Sequence, residues 1–548
     1  MATTIQGLYI KNFKKFKTFA IKLNPTLNIL VGDNEAGKST VLEAINLALT
    51  GMLNGKYLRN ELNQYVFNKE VVEDWISEVA RGTCPALPEV IIELYFAGDD
   101  IPVLRGNGNV KHEDRTGIGI KIAFDDKYQA EYERLLAQGN IKTLPIEYYD
   151  IYCYSFARAA ITPKNIPIKP AFIDSSSARF QNGSDVYISK IIKDFLNDDE
   201  HVSVIQAYRK ARESFADDLI IKAINSKIQT NSKISNRDVK IDIDLPARNA
   251  WECALMTYLD DIPFHFIGKG EQCIVKTKLA LAHKKAQEAN VLLLEEPENH
   301  LSHTNLSVLI KDIMKNNEDA ENKKQIIMTT HSSFVANKIG LGYITVLNKN
   351  KPFNLNDLSD STKVFFSKLA GYDTLRLILC KKAILVEGDS DELIVQRAYM
   401  DSHDNKLPIE DGIDVISVGT SFLRFLEIAE KIDQNVAVMT DNDGDIGALS
   451  RKYVNYLGEH QKDNIKICFD PNVAPALPGH AKFNNNTLEP TLFRANNRNT
   501  LNNIFGTSYG TDIELLKYMR NNKTECALCI FQSDKKIAYP QYITDTFE

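Results

Sequence analysis

The chain has 548 residues, 44% hydrophobic and 25% charged, with a formal net charge of −7. One hydrophobic core rarely grows past about 250–300 residues, so two or more domains are expected, and the composition is that of a globular chain rather than a disordered or fibrous one. The acidic balance gives no basic stripe of the kind that announces nucleic-acid binding, although a local basic channel can sit on an acidic chain, and carboxylates gathered around a metal push the balance the same way. In chain order, residues 8–13 read as a strand and residues 27–31 (Leu-Asn-Ile-Leu-Val) as a short buried strand. The loop Gly32-Asp33-Asn34-Glu35-Ala36-Gly37-Lys38-Ser39-Thr40 follows, and then a helix over 39–49 with Val41, Leu42, Ile45 and Leu49 at helical spacing. Residues 90–96 form another strand, whereas the Gly- and charge-rich stretch 105–145 yields no element. Pro163, Pro167 and Pro170 and a polar run from Asp174 punctuate the chain before a charged, mainly helical stretch from 186 to about 225.

Residues 166–245 are read as an insertion between two halves of one head, 1–165 and 246–375. The second half carries apolar strands at 291–294 and 325–328, and residues 350–365 read as a connection. A separate unit, 376–548, alternates strand and helix: strand 383–386, helix 391–399, strand 413–418, helix 422–432, strand 436–439. That alternation predicts a parallel sheet, so the fold class is α/β throughout.

The loop at 32–40 fits Gly-x-x-x-x-Gly-Lys-[Ser/Thr] between a strand and a helix, the context that makes it a phosphate-binding loop. Backbone N–H groups at Asn34, Gly37 and Thr40 and the helix N-terminus suit a polyphosphate, Lys38 its β/γ charge, and the Ser39 hydroxyl a Mg²⁺ ion. The nucleotide expected is ATP. Leu292-Leu293-Leu294-Glu295-Glu296-Pro297-Glu298 is a Walker B arrangement, with Glu295 where Asp is usual as the water-mediated Mg²⁺ partner and Glu296 as the base for the attacking water. Asn299-His300-Leu301-Ser302-His303 resembles a D-loop. Thr330-His331-Ser332 follows a strand and resembles a switch histidine that reads the γ-phosphate. Gly268-Lys269-Gly270-Glu271-Gln272 precedes a helix and resembles a signature motif, with Gly270 and Gln272 as nucleotide contacts, although the usual Ser is absent.

Two acidic clusters stand at strand ends in the C-terminal unit: Glu387-Gly388-Asp389-Ser390-Asp391 and Asp441-Asn442-Asp443-Gly444-Asp445. Ligands bind beyond the carboxyl ends of parallel strands, and converging carboxylates need a cation; all-oxygen ligands suit Mg²⁺ or Mn²⁺. As an EF-hand the second cluster fails, since Ile446 stands at the sixth position and Lys452 at the twelfth. Cys526 and Cys529 lack the second pair or histidines that a zinc site requires. No apolar stretch reaches the roughly 18 residues of a membrane span, and no secretory segment opens the chain, so a cytoplasmic, non-membrane protein is expected.

The N-terminal motifs resemble the ABC/SMC-type ATPase head, in which ATP is sandwiched between two heads, which implies a homodimer or higher homo-oligomer. Glu387 with Asp441 and Asp443 resembles the Toprim domain. The two together resemble the overcoming-lysogenisation-defect family of nucleases, most sharply from Gly371 to Gly388. The resemblance implies two-metal cleavage of DNA in anti-phage defence, with Asp391 and Glu489 as further metal ligands and Lys523 as the lysine that stabilises the scissile phosphate, with Lys535 or Lys536 as alternatives. It also implies dimerisation through the insertion, and relatives that act alone, with a helicase-like partner, or with a retron reverse transcriptase and its RNA–DNA product. Two other readings stay open: a DNA-binding repair-type ATPase that does not cut, and a Toprim ribonuclease acting on RNA such as tRNA. A topoisomerase would need a tyrosine in a strand-passing domain, and a primase a template-binding zinc module; neither is evident.

Overall fold

The computed structural model describes residues 3–98, 101–139, 141–174, 196–231, 241, 258–282, 286, 288–299, 301–318, 323–331, 341–348, 351–368, 372–480 and 483–548. Contacts divide the chain into two compact units, 1–29 with 39–330, and 30–38 with 331–548. The division passes within the strand Leu27–Gly32 and again between Lys38 and Ser39.

Beside two short two-stranded sheets, two larger ones are described in the first unit. One is antiparallel and runs in the order Phe16–Lys22, Thr4–Phe13, Val90–Ala97, Arg115–Phe124, with Tyr149–Ser155 also paired to Arg115–Phe124. Arg115–Phe124 lies within the stretch 105–145, where sequence patterning shows no element. Gly117 and Gly119 explain why: a Cβ at Gly117 would lie 2.2 Å from the Phe156 ring, and one at Gly119 2.3 Å from the Tyr154 ring. Aromatic rings from elsewhere fill the places that an alternating apolar pattern would otherwise occupy.

The other sheet has the order Pro170–Asp174, Val291–Glu295, Gln325–Thr330, Leu27–Gly32. The first two pairings are parallel, and Val291 to Glu295 is buried along its whole length, as a strand covered on both faces must be. Pro170–Asp174 corrects the sequence reading: counted above with a helical insertion, it is a strand of this sheet. Of the expected insertion, 175–195, 232–240 and 242–245 lie outside the described residues. Its described part holds two helices, Asp198–Asp217 and Leu219–Asn231, the first opened by a capping box between Asn197 and Glu200.

In the second unit, Leu27–Gly32 neighbours Ile344–Asn348, which turns back as an antiparallel hairpin into Lys351–Asn354 before the helix Asp360–Lys368. The stretch read as a connection, 350–365, is therefore largely regular structure. A four-stranded sheet follows, in the order Ile413–Ser417, Lys382–Val386, Asn435–Met439, Ile465–Cys468, every pairing parallel. The expected parallel sheet is present with its helices Asp389–Ser402 and Phe422–Ile432. Its core joins Ile384, Val386 and Met439 to Val395, Leu488, Cys526 and Ile530. Glu427 binds the start of the helix Asp360–Lys368, accepting from Ser359 N (2.6 Å), Ser359 Oγ (2.9 Å) and Thr362 Oγ1 (2.5 Å), while Asn348 Nδ2 donates to Ile432 O (2.6 Å). No described helix is long and apolar enough to cross a membrane.

Candidate nucleotide site and candidate metal centre

The phosphate loop is shaped by close approach. A Cβ on Gly32 would lie 2.6 Å from Leu347 O and 2.9 Å from Ala36 Cβ, so no side chain fits there without displacing backbone. Glu35 and Gly37 adopt positive φ (67° and 94°), and Asn34 is exposed, its N–H donating to Asp33 Oδ1 at 2.7 Å. Lys38 is buried, 5% exposed, with Nζ donating to Gly32 O and Asp33 O at 2.9 Å each and 3.5 Å from His331 Nδ1. The ammonium thus folds over the carbonyls of its own loop, a contact that a phosphate would replace with an ion pair. His331 sits directly after the strand Gln325–Thr330; Ser332 and His300 lie outside the described residues.

The helix Lys38–Thr50 opens with Lys38, Ser39 and the buried Thr40. The Ser39 side chain is hydrogen-bonded to Glu295, itself buried at the end of Val291–Glu295. Burial pushes the Glu295 carboxyl up to about 7, the negative charges of Asp174, Glu43 and Glu296 push the same way, and Ser39 opposes them. Asp174 is a residue that sequence reading missed: it ends its strand as the parallel register partner of Glu295. The signal was there, an apolar Ala-Phe-Ile run closed by an acid, but the prolines around it read as punctuation. Glu43 is engaged by Lys14 at 2.6 Å.

Glu296 holds a left-handed backbone, φ 42°, rare for a non-glycine residue. Its N–H donates to Thr329 O and Oγ1, both at 3.2 Å, and Asn299 Nδ2 donates to its Oε2 at 3.2 Å. The signature-like segment differs from expectation. The helix begins at Lys269, so Gly270 and Gln272 lie inside its first turn, and Gln272 Nε2 donates to Ile267 O at 2.8 Å.

In the parallel-sheet domain, Glu387 follows Lys382–Val386 and Asp441 follows Asn435–Met439 on adjacent strands. Asp391 accepts from Gly388 N at 2.9 Å; burial raises its carboxyl to about 6, with Glu387 and Glu489 adding to the shift. Asp441 is raised well above the ordinary carboxylate range by burial, then by Asp391, Glu489, Asp443 and Glu387. Asp443 has φ 49° and accepts from Asn484 Nδ2 at 2.8 Å. Glu489, 4% exposed in the first turn of Leu488–Ala495, accepts from Thr487 Oγ1 at 3.1 Å and pairs with Lys523 Nζ at 3.1 Å. Burial would lower the Lys523 ammonium, but Glu489, Asp441 and Asp391 outweigh it and hold it above its usual range. The alternative Lys536 donates to Asp401 O at 2.7 Å, and Lys535 is exposed; Lys523 is the lysine among the carboxylates. Cys526 and Cys529 are free, the first of them in the core.

The five carboxylates fit a divalent cation by donor chemistry, hard oxygens with a surplus of negative charge, Glu489 buried and Glu387 and Asp443 exposed. Among the described residues no three His, Cys, Asp or Glu side chains are arranged to hold a metal ion. The physical reason is visible: Asp391 is turned to Gly388, Asp443 to Asn484, and Glu489 to Thr487 and Lys523. These three carboxylates have each found a donor within the protein.

The fold and the two sites define a class, a phosphate-loop ATPase joined to a Toprim domain. An AAA domain family description matches residues 8–364, and the Toprim domain of overcoming-lysogenisation-defect-like proteins matches residues 378–443. The chain is 22% identical over 346 residues to an ATP/GTP phosphatase of Helicobacter pylori, 60% of this chain and 85% of that protein. Similar solved structures are the SMC head domain from Thermotoga maritima (14% identity, 63% of this chain and 94% of that one, TM-score 0.29) and the Pyrococcus furiosus Smc head with an extended coiled coil bound to the C-terminal domain of ScpA (13%, 66% and 99%, TM-score 0.32). The chain belongs to the AAA domain family, and its C-terminal part carries a match to the overcoming-lysogenisation-defect-like Toprim domain. Those two domains imply use of a nucleotide and of divalent metal in general.

Proposed function

We propose that the protein is an ATP-regulated, divalent-metal-dependent DNA endonuclease or nickase that acts in anti-phage defence as a homodimer or higher homo-oligomer. The observation that carries this reading is the crowding of Glu387, Asp391, Asp441, Asp443 and Glu489 around one another, with Lys523 the cation engaged among them. A purely structural role would not need to gather so many like charges.

Glu387, Asp391, Asp441, Asp443 and Glu489 would hold Mg²⁺ or Mn²⁺. When bound, two such ions supply a clamp on the attacking and leaving oxygens of an in-line displacement at phosphorus. The side chains then have distinct tasks. Burial of Asp441 and Glu489 keeps competing water away from the ligand oxygens. Lys523, half exposed beside them, offers its ammonium to the negative charge that gathers on the scissile phosphate.

In the ATPase head, Lys38 would give up its loop carbonyls for the β/γ-phosphates, with backbone N–H groups of Asn34, Gly37 and Thr40 around them. Ser39 and Glu295 would hold the nucleotide's Mg²⁺, Glu296 would take the proton of the attacking water, and His331 would read the γ-phosphate. Gly270 and Gln272 would face the nucleotide of a second head. Nicking of supercoiled plasmid in Mg²⁺ or Mn²⁺, set against the same assay in EDTA, tests the reading: nicked product only with metal is expected, and an absence of nicking under every divalent ion speaks for a DNA-binding ATPase that does not cut.

A further inference from the structure

The loop between Ile465–Cys468 and Leu488–Ala495 carries three consecutive asparagines, Asn484, Asn485 and Asn486. All three side chains stitch the loop to itself. Asn486 exchanges two hydrogen bonds with Ala474, its Oδ1 accepting from Ala474 N (2.6 Å) and its Nδ2 donating to Ala474 O (3.1 Å). Asn485 Nδ2 donates to Pro475 O at 2.9 Å, and Arg494 holds Asn485 O at 2.7 Å. Asn485 and Asn486 are each only 9% exposed, so this arrangement is a built wall. Asn484 Oδ1 accepts from Asn486 N at 2.9 Å, which leaves its Nδ2 to meet Asp443 Oδ1 at 2.8 Å.

Asp443 needs such a partner. It is a non-glycine residue in the left-handed region, φ 49°, followed by Gly444 at φ 82°. Asn442 holds the turn from beneath: its Oδ1 accepts from Gly444 N (2.9 Å), and its Nδ2 donates to Asp470 O (2.7 Å) and Asn472 O (3.0 Å). The backbone is thereby fixed, but the Asp443 carboxylate itself stands toward solvent with like charges nearby, among them Asp441. Without a donor it would swing away from them. A bond to one carboxylate oxygen fixes the direction of the other.

We propose that Asn484 is a positioning residue for the metal centre, aiming the Asp443 carboxylate while the Asn485–Asn486 wall holds Asn484 in place. The inference rests on the metal-dependent reading above. An amide suits the task, because it donates to a carboxylate without carrying a charge that would repel a cation. Partners that orient metal-ligating groups in this way contribute about 10- to 100-fold to metal affinity, and with a half-exposed bond the lower end applies.

The experiment is calorimetric titration of the full-length, metal-free protein with Mn²⁺, with the melting temperature in EDTA measured for each variant. Asn484→Ala is expected to weaken Mn²⁺ binding about 10-fold with a metal-free melting temperature close to wild type. Asn484→Ser, whose hydroxyl can still donate, is expected to recover part of the loss. Wild-type Mn²⁺ affinity in Asn484→Ala overturns the positioning role while leaving the metal reading intact. If Asp441→Ala also titrates like wild type, there is no cation at this centre and both fail. A large fall in the metal-free melting temperature of Asn484→Ala and Asn484→Ser alike, with no loss of affinity in the folded fraction, makes the residue a structural one and also overturns the proposal.

Discussion

Lys523 and Glu489 form an ion pair of unequal members: Nζ lies 3.1 Å from Oε1, the lysine half exposed and the carboxylate side chain 6% exposed. Exposed ion pairs contribute little to stability, but a carboxylate this buried and crowded by Asp391 and Asp441 depends on its cation. The pair is therefore read as a charge held ready for substrate. Lys523→Ala is expected to reduce plasmid nicking roughly 10²–10³-fold, the scale for removing one preorganised charge-stabilising group. ATP hydrolysis, measured by phosphate release, should persist. Nicking at near-wild-type rate in Lys523→Ala would return the choice of lysine to the others.

Crowded carboxylates should make the metal-free protein less stable than it could be. Asp441→Asn removes one charge from the group while keeping its shape. In EDTA this variant should melt higher than wild type, by on the order of 1 kcal/mol, or about 2–4 °C for a domain of this size. Added Mg²⁺ or Mn²⁺ should raise the melting temperature of wild type and leave Asp441→Asn nearly unmoved. Equal melting of the two in EDTA would mean that the repulsion is relieved some other way.

The acidic residues at strand ends were readable because each lies within a few residues of the strand that positions it. Glu387 and Asp391 need only the run Ala383–Val386 before them, and Lys38 and Ser39 only the strand and helix on either side. Asp174 was not readable, because its meaning lies in its register with Glu295, a pairing between distant parts of the chain. The strands Arg115–Phe124 and Tyr149–Ser155 hid for a related reason, since Gly117 and Gly119 make room for Phe156 and Tyr154 rather than showing apolar side chains of their own. The strand Lys351–Asn354 was masked by the proline and polar residues that a short edge strand tolerates. Asn484 was equally silent, as an asparagine triplet reads as a loop until its partners are seen.

Gly32 offers a test of the nucleotide loop independent of charge. Gly32→Ala forces a Cβ to within 2.6 Å of Leu347 O, so strand and loop must shift. Affinity for ATP, measured by fluorescence of a labelled analogue, should fall at least about 10-fold, since a displacement of about 1 Å commonly costs more in a positioned site. Unchanged affinity would show that the loop yields at Leu347.

Glu93 is fully buried and accepts from Tyr95 Oη (2.7 Å), Tyr154 Oη (3.0 Å) and Val110 N (2.9 Å). Glu93→Ala orphans all three donors and should destabilise the protein by about 2–3 kcal/mol. Burial raises the Glu93 carboxyl above its ordinary value, although its donors oppose the shift. The folded state therefore keeps a proton that the unfolded state releases, and the stability Glu93 provides falls as pH rises from the ordinary carboxylate range through the raised value. The cost of Glu93→Ala in urea denaturation should be larger near pH 4 than near pH 7.5. A cost that grows with pH would reverse the assignment.

The proposed function divides the labour of one chain between two chemistries. The direct measurement is parallel assay of Asp441→Ala for nicking of supercoiled plasmid in Mn²⁺ and for ATP hydrolysis under the same conditions. Nicking abolished with ATP hydrolysis retained is the predicted result. Nicking that persists in Asp441→Ala at the wild-type rate would contradict the assignment of cleavage to the Toprim carboxylates.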